Sequence, residues 1–276
     1  MKQYGASLLP ILSLLFFSGC EKRETIDYPM MHDYRVQDVL YAKDSKLKQI
    51  SIGDGRGTWY VHDEFEYDNL GRISKISRPM YEDGEVNGII SYDIYTYNDK
   101  SQLEKIMNYN ANLYQGFQNL VTYIYAYDND GNKRKEVIEY PLIGQNRIDS
   151  TLYYYDNNRL TRADFYTDGY HDDVIWSSKR TSYIEYEYDN QGELVKETTY
   201  VGAGVDNTLY QYSVHSYKDG LNVKTDVFIY YNVIGKTKLR EIRRFYDIND
   251  NLIYVESQEL SWLSSTMGFV QKYEYN

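Results

Sequence analysis

The sequence predicts an all-β protein. We expect an antiparallel up-and-down meander of about 16–18 strands, built from eight hairpin repeats of ~29 residues and curled or closed into a large water-soluble barrel. Tyrosine occurs 34 times in 276 residues, and aromatic residues favour strands. A tyrosine followed by a short polar turn recurs along most of the chain. The aromatic residues before each turn alternate with a period of two, which is typical of strands.

Each repeat starts at a tyrosine, here called the anchor, which Asp or Asn follows in most copies. The anchors are Tyr41, Tyr67, Tyr97, Tyr127, Tyr155, Tyr188, Tyr217 and Tyr246, and the chain stops at Tyr275-Asn276, where a ninth copy begins. Successive spacings are 26, 30, 30, 28, 33, 29, 29 and 29 residues. Most copies carry an apolar residue six positions after the anchor, namely Leu47, Ile73, Leu103, Leu194, Val223 and Leu252. Lys133 breaks this rule, and Leu160 follows its anchor by only five positions.

Every copy predicts one β-hairpin. Before the anchor the aromatic residues alternate, as in Tyr123, Tyr125 and Tyr127, so they share one face of a strand. The segment Asp/Asn–x–x–Gly then predicts the turn, because Asp and Asn fold their side chains onto nearby backbone and Gly accepts a positive φ. The second strand follows the turn. We therefore expect the anchors to form the aromatic core of the sheet.

The spacing and the turn resemble the YD repeat of Rhs-type proteins, and still more the short YD-rich lipoproteins of Bacteroidetes with domains of unknown function. The resemblance covers about residues 36–276. It implies an antiparallel meander and, for some of these lipoprotein families, a porin-like barrel. Rhs shells are far longer and carry a toxin at one end, so no toxin role is carried over.

The face opposite the tyrosines distinguishes a soluble barrel from a membrane-spanning one. An outer-membrane barrel needs an unbroken apolar band on its lipid side. The opposite face instead carries charges at Glu64, Glu66, Glu185, Glu187, Lys272 and Glu274. It is more apolar on the middle strands, at Ile94, Ile124 and Leu152. The charges favour a water-soluble body.

The N-terminus predicts export and lipid attachment. An apolar run of about ten residues follows Lys2, too short for the roughly 20 that span a bilayer. The segment Phe17-Ser-Gly-Cys20 resembles the lipobox of bacterial lipoproteins, although Phe17 stands where Leu is preferred. The resemblance implies cleavage before Cys20 and acylation of that residue, as with palmitate. We expect a signal peptide at 1–19, a lipidated tether at 20–35 and one β domain at 36–276, in a lipoprotein of the bacterial outer membrane, facing the periplasm or the cell surface.

Composition excludes several classes of function. Lys and Arg number 30 against 41 Asp and Glu, a formal charge of -11, which argues against a nucleic-acid partner. The single cysteine excludes a disulfide within the chain and any multi-cysteine metal site. The four histidines lack metal-type spacing, and no nucleotide-binding, zinc-protease or serine-hydrolase motif occurs. No cofactor or catalytic residue is predicted, although a pair of acids for glycoside hydrolysis stays open.

Two loop features are candidates for binding. The segment between Thr167 and Lys179 carries side chains that suit a ligand or a divalent metal, namely Asp168, Tyr170, His171, Asp172, Asp173 and Trp176. Its simpler interpretation is a polar surface loop. The aromatic residues outside the repeat pattern are Trp59, Tyr81, Phe117, Tyr170 and Trp176. The segment Asp128–Asn132 looks like part of a calcium loop but lacks the flanking acids, so we interpret it as a turn.

Three functions fit this sequence. The first is a non-catalytic envelope lipoprotein whose repeat scaffold binds a glycan or an envelope protein, or covers surface. The second is an enzyme acting on glycans, and the third is a porin-like transport body. A deep pocket with converging acids would favour the enzyme. Exposed coplanar aromatic side chains would favour glycan binding, and a continuous apolar outer belt would favour a porin.

Overall fold

The protein is a closed barrel of 16 antiparallel strands in up-and-down order, which confirms the predicted fold class. The computed structural model describes residues 41–53, 58–82, 84–112, 116–141, 147–167, 179–202, 208–231, 235–259 and 268–276. The first eight strands are β1 (Leu47–Gly53), β2 (Trp59–Tyr67), β3 (Ile73–Glu82), β4 (Glu85–Tyr97), β5 (Leu103–Asn112), β6 (Gly116–Tyr127), β7 (Lys133–Glu139) and β8 (Ile148–Asp156). The others are β9 (Arg159–Thr167), β10 (Lys179–Tyr188), β11 (Leu194–Val201), β12 (Thr208–Lys218), β13 (Leu221–Tyr231), β14 (Gly235–Tyr246), β15 (Leu252–Glu259) and β16 (Gly268–Tyr275).

The Asp/Asn turns have one shared geometry. The Asp68 carboxylate accepts hydrogen bonds from the backbone N–H groups of Leu70 and Arg72, each at 2.9 Å. Gly71, at φ 78°, takes the left-handed conformation that closes the turn. Four further turns repeat this pattern, at 98–102, 128–132, 189–193 and 247–251. These turns define one end of the barrel, here called the short-turn rim.

A β-bulge lies at every anchor except Tyr41, which precedes the first strand, and the bulge explains the regular spacing within the repeat. Tyr97 pairs with Leu103 directly after a register shift in the β4–β5 ladder, and Tyr127 pairs with Lys133 after the equivalent shift. The apolar residue six after the anchor is therefore the cross-strand partner of the anchor. Lys133 occupies this position without disturbing the geometry because the pairing is made by the backbone.

The anchor hydroxyls connect each hairpin to the preceding one. The Tyr127 hydroxyl donates to the Leu103 carbonyl at 2.8 Å, and the Tyr97 hydroxyl donates to the Ile73 carbonyl at 2.7 Å. Four more anchors make the same bond, from Tyr67 to Leu47, from Tyr188 to Leu160, from Tyr246 to Asn222 and from Tyr275 to Leu252. The predicted aromatic ladder is thus also a hydrogen-bond ladder around the short-turn rim.

One repeat differs in register from most of the others. Val223 lies six positions after Tyr217, but Tyr217 pairs with Asn222. The reason is the tighter two-residue turn at Asp219 and Gly220, both of which have positive φ (53° and 76°). The Tyr155 copy is shortened by the same kind of turn, and Tyr155 pairs with Leu160, five positions later.

Half-repeats at the two ends of the chain close the barrel. β16 ends at Tyr275, the ninth anchor, and this residue pairs with Leu47 of β1 with the same register shift that follows other anchors. The Tyr275 ring also packs against Tyr41, with ring centroids 5.0 Å apart. β16 and β1 therefore form a composite hairpin from the first and last parts of the sequence, and no sheet edge remains.

The anchor face lines the interior of the barrel. Tyr186 on β10 interacts electrostatically with Tyr153 and Tyr155 on β8, two strands away, which requires side chains that converge on the concave side. The opposite face carries Glu66 and Glu187, whose side chains are 59% and 56% exposed. The interior of the barrel is therefore not a continuous hydrophobic core. Most anchors are partly buried, and Tyr246 is buried among them.

Small aromatic clusters cover parts of the outer face. Tyr183 stacks on Tyr200 with centroids 4.6 Å apart, and Tyr212 stacks on Phe228 at 4.8 Å. The Arg162 guanidinium lies 4.1 Å from the centre of the Tyr183 ring. Tyr183 and Tyr212 are each only 8% exposed. These coplanar rings are therefore packed within the outer wall and do not form an exposed stacking surface.

Candidate functional site

A charged cluster crosses the inner wall between β2 and β5. Arg78 lies between two carboxylates, with its Nη2 2.7 Å from Asp93 Oδ2 and its Nε 3.2 Å from Asp63 Oδ1. The Asn108 amide donates to the other oxygen of Asp93 at 2.6 Å. Alternation along four consecutive strands positions these side chains on the interior face. The cluster holds one guanidinium against two carboxylates, all partly or fully buried.

Phenol groups surround this cluster. Burial raises the pKa of Tyr95 to about 12, and the neighbouring Asp93 charge adds to that increase. Burial also raises the pKa of Tyr125, helped by Glu136. Protonated phenols can donate hydrogen bonds, so the inner wall presents neutral donors beside charged groups.

Two cavities meet at Arg78. The larger, of about 620 Å³, opens toward the rim opposite the short turns, here called the long-loop rim. Its lining residues are Ile52, Gly53, Tyr60, Val61, His62, Arg78, Pro79, Tyr81, Ile90, Ser91, Asn110 and Ala111. The smaller, of about 240 Å³, is lined by Arg78, Asp93, Tyr95, Ile106, Asn108, Tyr123 and Tyr125. We name the first the mouth cavity and the second the inner cavity.

A second polar network lies on the inner face of β11–β14. His215 contacts Thr225 through Nδ1 at 3.0 Å and Glu197 through Nε2 at 3.3 Å. Arg244 donates to Thr225 at 2.9 Å and to Asn222 at 3.0 Å. The Thr225 hydroxyl thus lies between an imidazole and a guanidinium. The residue Thr225 is only 4% exposed. These contacts join neighbouring strands of the barrel wall across its inner face.

The aromatic candidates outside the repeat pattern separate into three groups. Tyr81 lines the mouth cavity. Trp59 and Phe117 are 37% and 43% exposed, and Phe117 packs against Tyr92 on the outer face at 4.9 Å. Tyr170 and Trp176 lie outside the described residues. No single surface brings Trp59, Tyr81 and Phe117 together.

The predicted ligand loop and lipid site remain predictions. The loop residues Asp168, Tyr170, His171, Asp172, Asp173 and Trp176 lie outside the described residues, as does Cys20. The residues that flank the loop, Thr167 and Lys179, pair with each other in the β9–β10 ladder. These two flanking residues lie at the long-loop rim, the same end of the barrel as the mouth cavity.

The sequence did not single out Arg78, Asp93 or Asn108. Each occupies an inward position of its strand, and an alternation count from the anchor would have identified that side of the sheet. The sequence does not show that Arg78 and Asp93, 15 positions apart, come within contact distance on neighbouring strands. Within the described ranges no group of three or more metal-binding side chains occurs, and no helix there is long and apolar enough to cross a membrane.

Comparison with known proteins shows a likeness of fold. No family model and no curated protein matches the chain. Among solved structures, a porin-like protein from Bacteroides uniformis ATCC 8492 has a TM-score of 0.50 at 10% identity, covering 84% of this chain and 99% of that chain. A porin-like protein from Bacteroides vulgatus ATCC 8482 has a TM-score of 0.48 at 13% identity, with the same coverage. A TcdB2–TccC3 complex reaches 0.33 at 12% identity, over 83% of this chain and 15% of that chain. The chain has a porin-like β fold, and its activity does not follow from that likeness.

Proposed function

We propose that this protein is a lipid-anchored envelope protein whose barrel is a water-soluble scaffold with a polar interior, rather than a pore through the membrane. The observation that carries the proposal is the outer face at mid-height of the barrel. There the row of cross-strand pairs runs Glu64–Ser77, Ile94–Met107, Ile124–Val137, Leu152–Asp164, Glu185–Thr198, Val214–Asp226, Arg243–Glu256 and Lys272–Ser51. Only the second and third pairs are wholly apolar.

This row is incompatible with a lipid-facing belt. A lysine or arginine on the lipid face of a barrel costs roughly 2–4 kcal/mol at the bilayer midplane. Arg243 and Lys272 lie in the row, together with the acids of four other hairpins. Next to the row, Lys238 contacts Glu241 and lies 2.7 Å from Asp226 Oδ1. Such charged networks on the outer face suit water on the outside, and the inward charges of Asp63, Arg78 and Asp93 suit a polar interior.

The path of the N-terminus favours one orientation. The Tyr41 N–H donates to Asp247 at 2.9 Å, and the Tyr41 carbonyl accepts from Asn249 at 2.7 Å. This clamp fastens the chain to the short-turn rim, 21 residues after Cys20. A flexible segment of about 20 residues has a root-mean-square span of roughly 25 Å. With lipid at Cys20, the short-turn rim lies toward the membrane and the long-loop rim, with the mouth cavity, faces away from it.

Two measurements test the proposal. In a lipoprotein-processing bacterial host, Cys20→Ser is expected to leave an unprocessed precursor and abolish labelling by a palmitate analogue. The double variant Ser18→Cys with Cys20→Ser is the matched control, because it retains one thiol at a displaced position and should also remain unlabelled. Full labelling of Cys20→Ser would contradict lipid attachment at that residue.

The second measurement distinguishes a soluble scaffold from an integral barrel. A chain beginning at residue 21 is expected to be monodisperse in detergent-free buffer and to stay out of liposomes in a flotation assay. Recovery only in detergent, or stable insertion with ion conductance across a planar bilayer, would support the porin-like alternative instead.

A further inference from the structure

We propose that the mouth cavity is a binding site for a neutral saccharide, whose chain end is directed past Arg78 into the inner cavity. This proposal depends on the cavity alone and does not require the lipid anchor. A volume of about 620 Å³ lies within the usual range for small-molecule sites, which is about 300–1,000 Å³. The lining residues belong to the consecutive paired strands β1 to β5, so the walls of the cavity are part of the barrel.

One wall of the cavity is aromatic and rigid. Tyr60 and Tyr81 meet edge to face, with ring centroids 5.2 Å apart and planes at 83°. The Tyr81 hydroxyl accepts from the Val61 N–H at 2.8 Å and donates to the Val61 carbonyl at 3.2 Å. Because backbone groups occupy this hydroxyl, Tyr81 offers a ligand mainly its ring. Fixed aromatic rings beside Ile52 and Pro79 suit the C–H face of a sugar ring.

The other wall is polar and already organised. Arg78 is held by Asp63 and Asp93, and Asn108 holds Asp93 in turn. A guanidinium has five N–H donors in a fixed plane, and Asn110 adds an amide to the same wall. The hydroxyl groups of a sugar can both donate and accept hydrogen bonds, so they suit a wall that combines a guanidinium with side-chain amides. A purely apolar ligand would remove water from these charges without replacing their hydrogen bonds.

Charge selects against ionic ligands. Arg78 and His62 both line the mouth cavity; Arg78 lies against Asp63 and Asp93, and the His62 ring contacts Asp63 at 2.8 Å. An organic cation would meet the guanidinium first. An anion would meet a group whose charge two carboxylates already outweigh. Beyond Arg78, the inner cavity adds Tyr95, Asn108 and further phenols, which gives room for a second sugar unit and favours a disaccharide over a monosaccharide.

The test is calorimetric titration of the full-length mature protein with maltose, cellobiose, lactose, di-N-acetylchitobiose and glucose. We expect at least one disaccharide to bind more tightly than glucose. Tyr60→Ala should weaken that binding by about tenfold or more, since a truncated aromatic contact of 1.4 kcal/mol corresponds to that factor. Asn110→Ala, which removes no ring, should weaken it by a smaller factor. Tyr210→Ala, on β12 at a side chain that lines neither the mouth cavity nor the inner cavity, is the matched control and should leave binding unchanged.

Three outcomes would overturn the proposal. The first is that no disaccharide binds at millimolar concentration. The second is binding that neither Tyr60→Ala nor Asn110→Ala weakens in protein with an unchanged barrel circular-dichroism spectrum. The third is preference for a charged sugar, glucosamine or glucuronate, over every neutral disaccharide. If Tyr60→Ala fails to fold, Asn110→Ala together with chemical-shift changes confined to the mouth cavity decides the matter.

Discussion

The anchor hydroxyl of Tyr127 has a predictable energetic role. In Tyr127→Phe the ring stays and the 2.8 Å hydrogen bond to the Leu103 carbonyl is lost. A net hydrogen bond contributes about 0.5–1.5 kcal/mol. In Tyr127→Ala the ring is lost as well. Full truncation of a buried aromatic costs about 3–5 kcal/mol, and because Tyr127 is only partly buried we expect about 3 kcal/mol.

Thermal unfolding followed by circular dichroism measures both changes. For a domain of this size 1 kcal/mol shifts Tm by about 2–4 °C, so Tyr127→Phe should lower Tm by that amount and Tyr127→Ala by roughly three times as much. Tyr210 is the control, because it is 36% exposed and is not an anchor, and Tyr210→Phe should leave Tm unchanged. Equal Tm values for Tyr127→Phe and Tyr210→Phe would refute the hydrogen-bond ladder. Equal, small shifts in Tm for Tyr127→Ala and Tyr210→Ala would mean that the anchors are not part of the core.

Two further predictions concern ionisable groups. Asp247 is fully buried, and although burial raises its pKa, hydrogen bonds from Asn251 and the Tyr41 backbone outweigh this and lower it. Asp247→Ala should therefore cost about 1–3 kcal/mol more in urea unfolding than Asp189→Ala, whose turn lacks the Tyr41 contact, because buried donors lose their acceptor. The stability that the Asp247 carboxylate contributes should be present above pH 4. It should be lost as the pH falls through the lowered pKa that Asp247 has in the folded protein. At the alkaline end, burial raises the pKa of Tyr95, Tyr140 and Tyr275 to about 12, so stability should be intact below pH 10 and decline as the pH rises toward 12. Absorbance at 295 nm would follow phenolate formation, and titration of all tyrosines at pH 10 in folded protein would contradict a phenol-lined interior.

The local structure of each repeat could be predicted because its causes lie within about ten residues. Alternating aromatic residues specify one face of a strand. An Asp such as Asp68 supplies the acceptors of its own turn, and Gly71 supplies the left-handed residue that closes it. Eight such hairpins in sequence exceed the number of strands that an open sheet tolerates, so a curled or closed sheet was expected. The structure decides for closure, through the pairing of β16 with β1.

Which aromatic side chains are buried depended on the tertiary structure. The anchors are partly buried inward-facing residues, whereas Tyr183 and Tyr212 of the outer face are among the buried aromatics, because the wall of a wide barrel is only one sheet thick and each face needs its own cover.

The candidate site could not be predicted from local sequence. Asp63, Arg78 and Asp93 are 15 residues apart in sequence, and nothing local relates them. They meet because antiparallel pairing sets residues one hairpin length apart side by side, and because alternation directs all three inward. The sequence by itself determined the strands and the turns, and the structure decided that the sheet closes. Curvature decided which face became the interior, and so which charges and rings came to share a cavity.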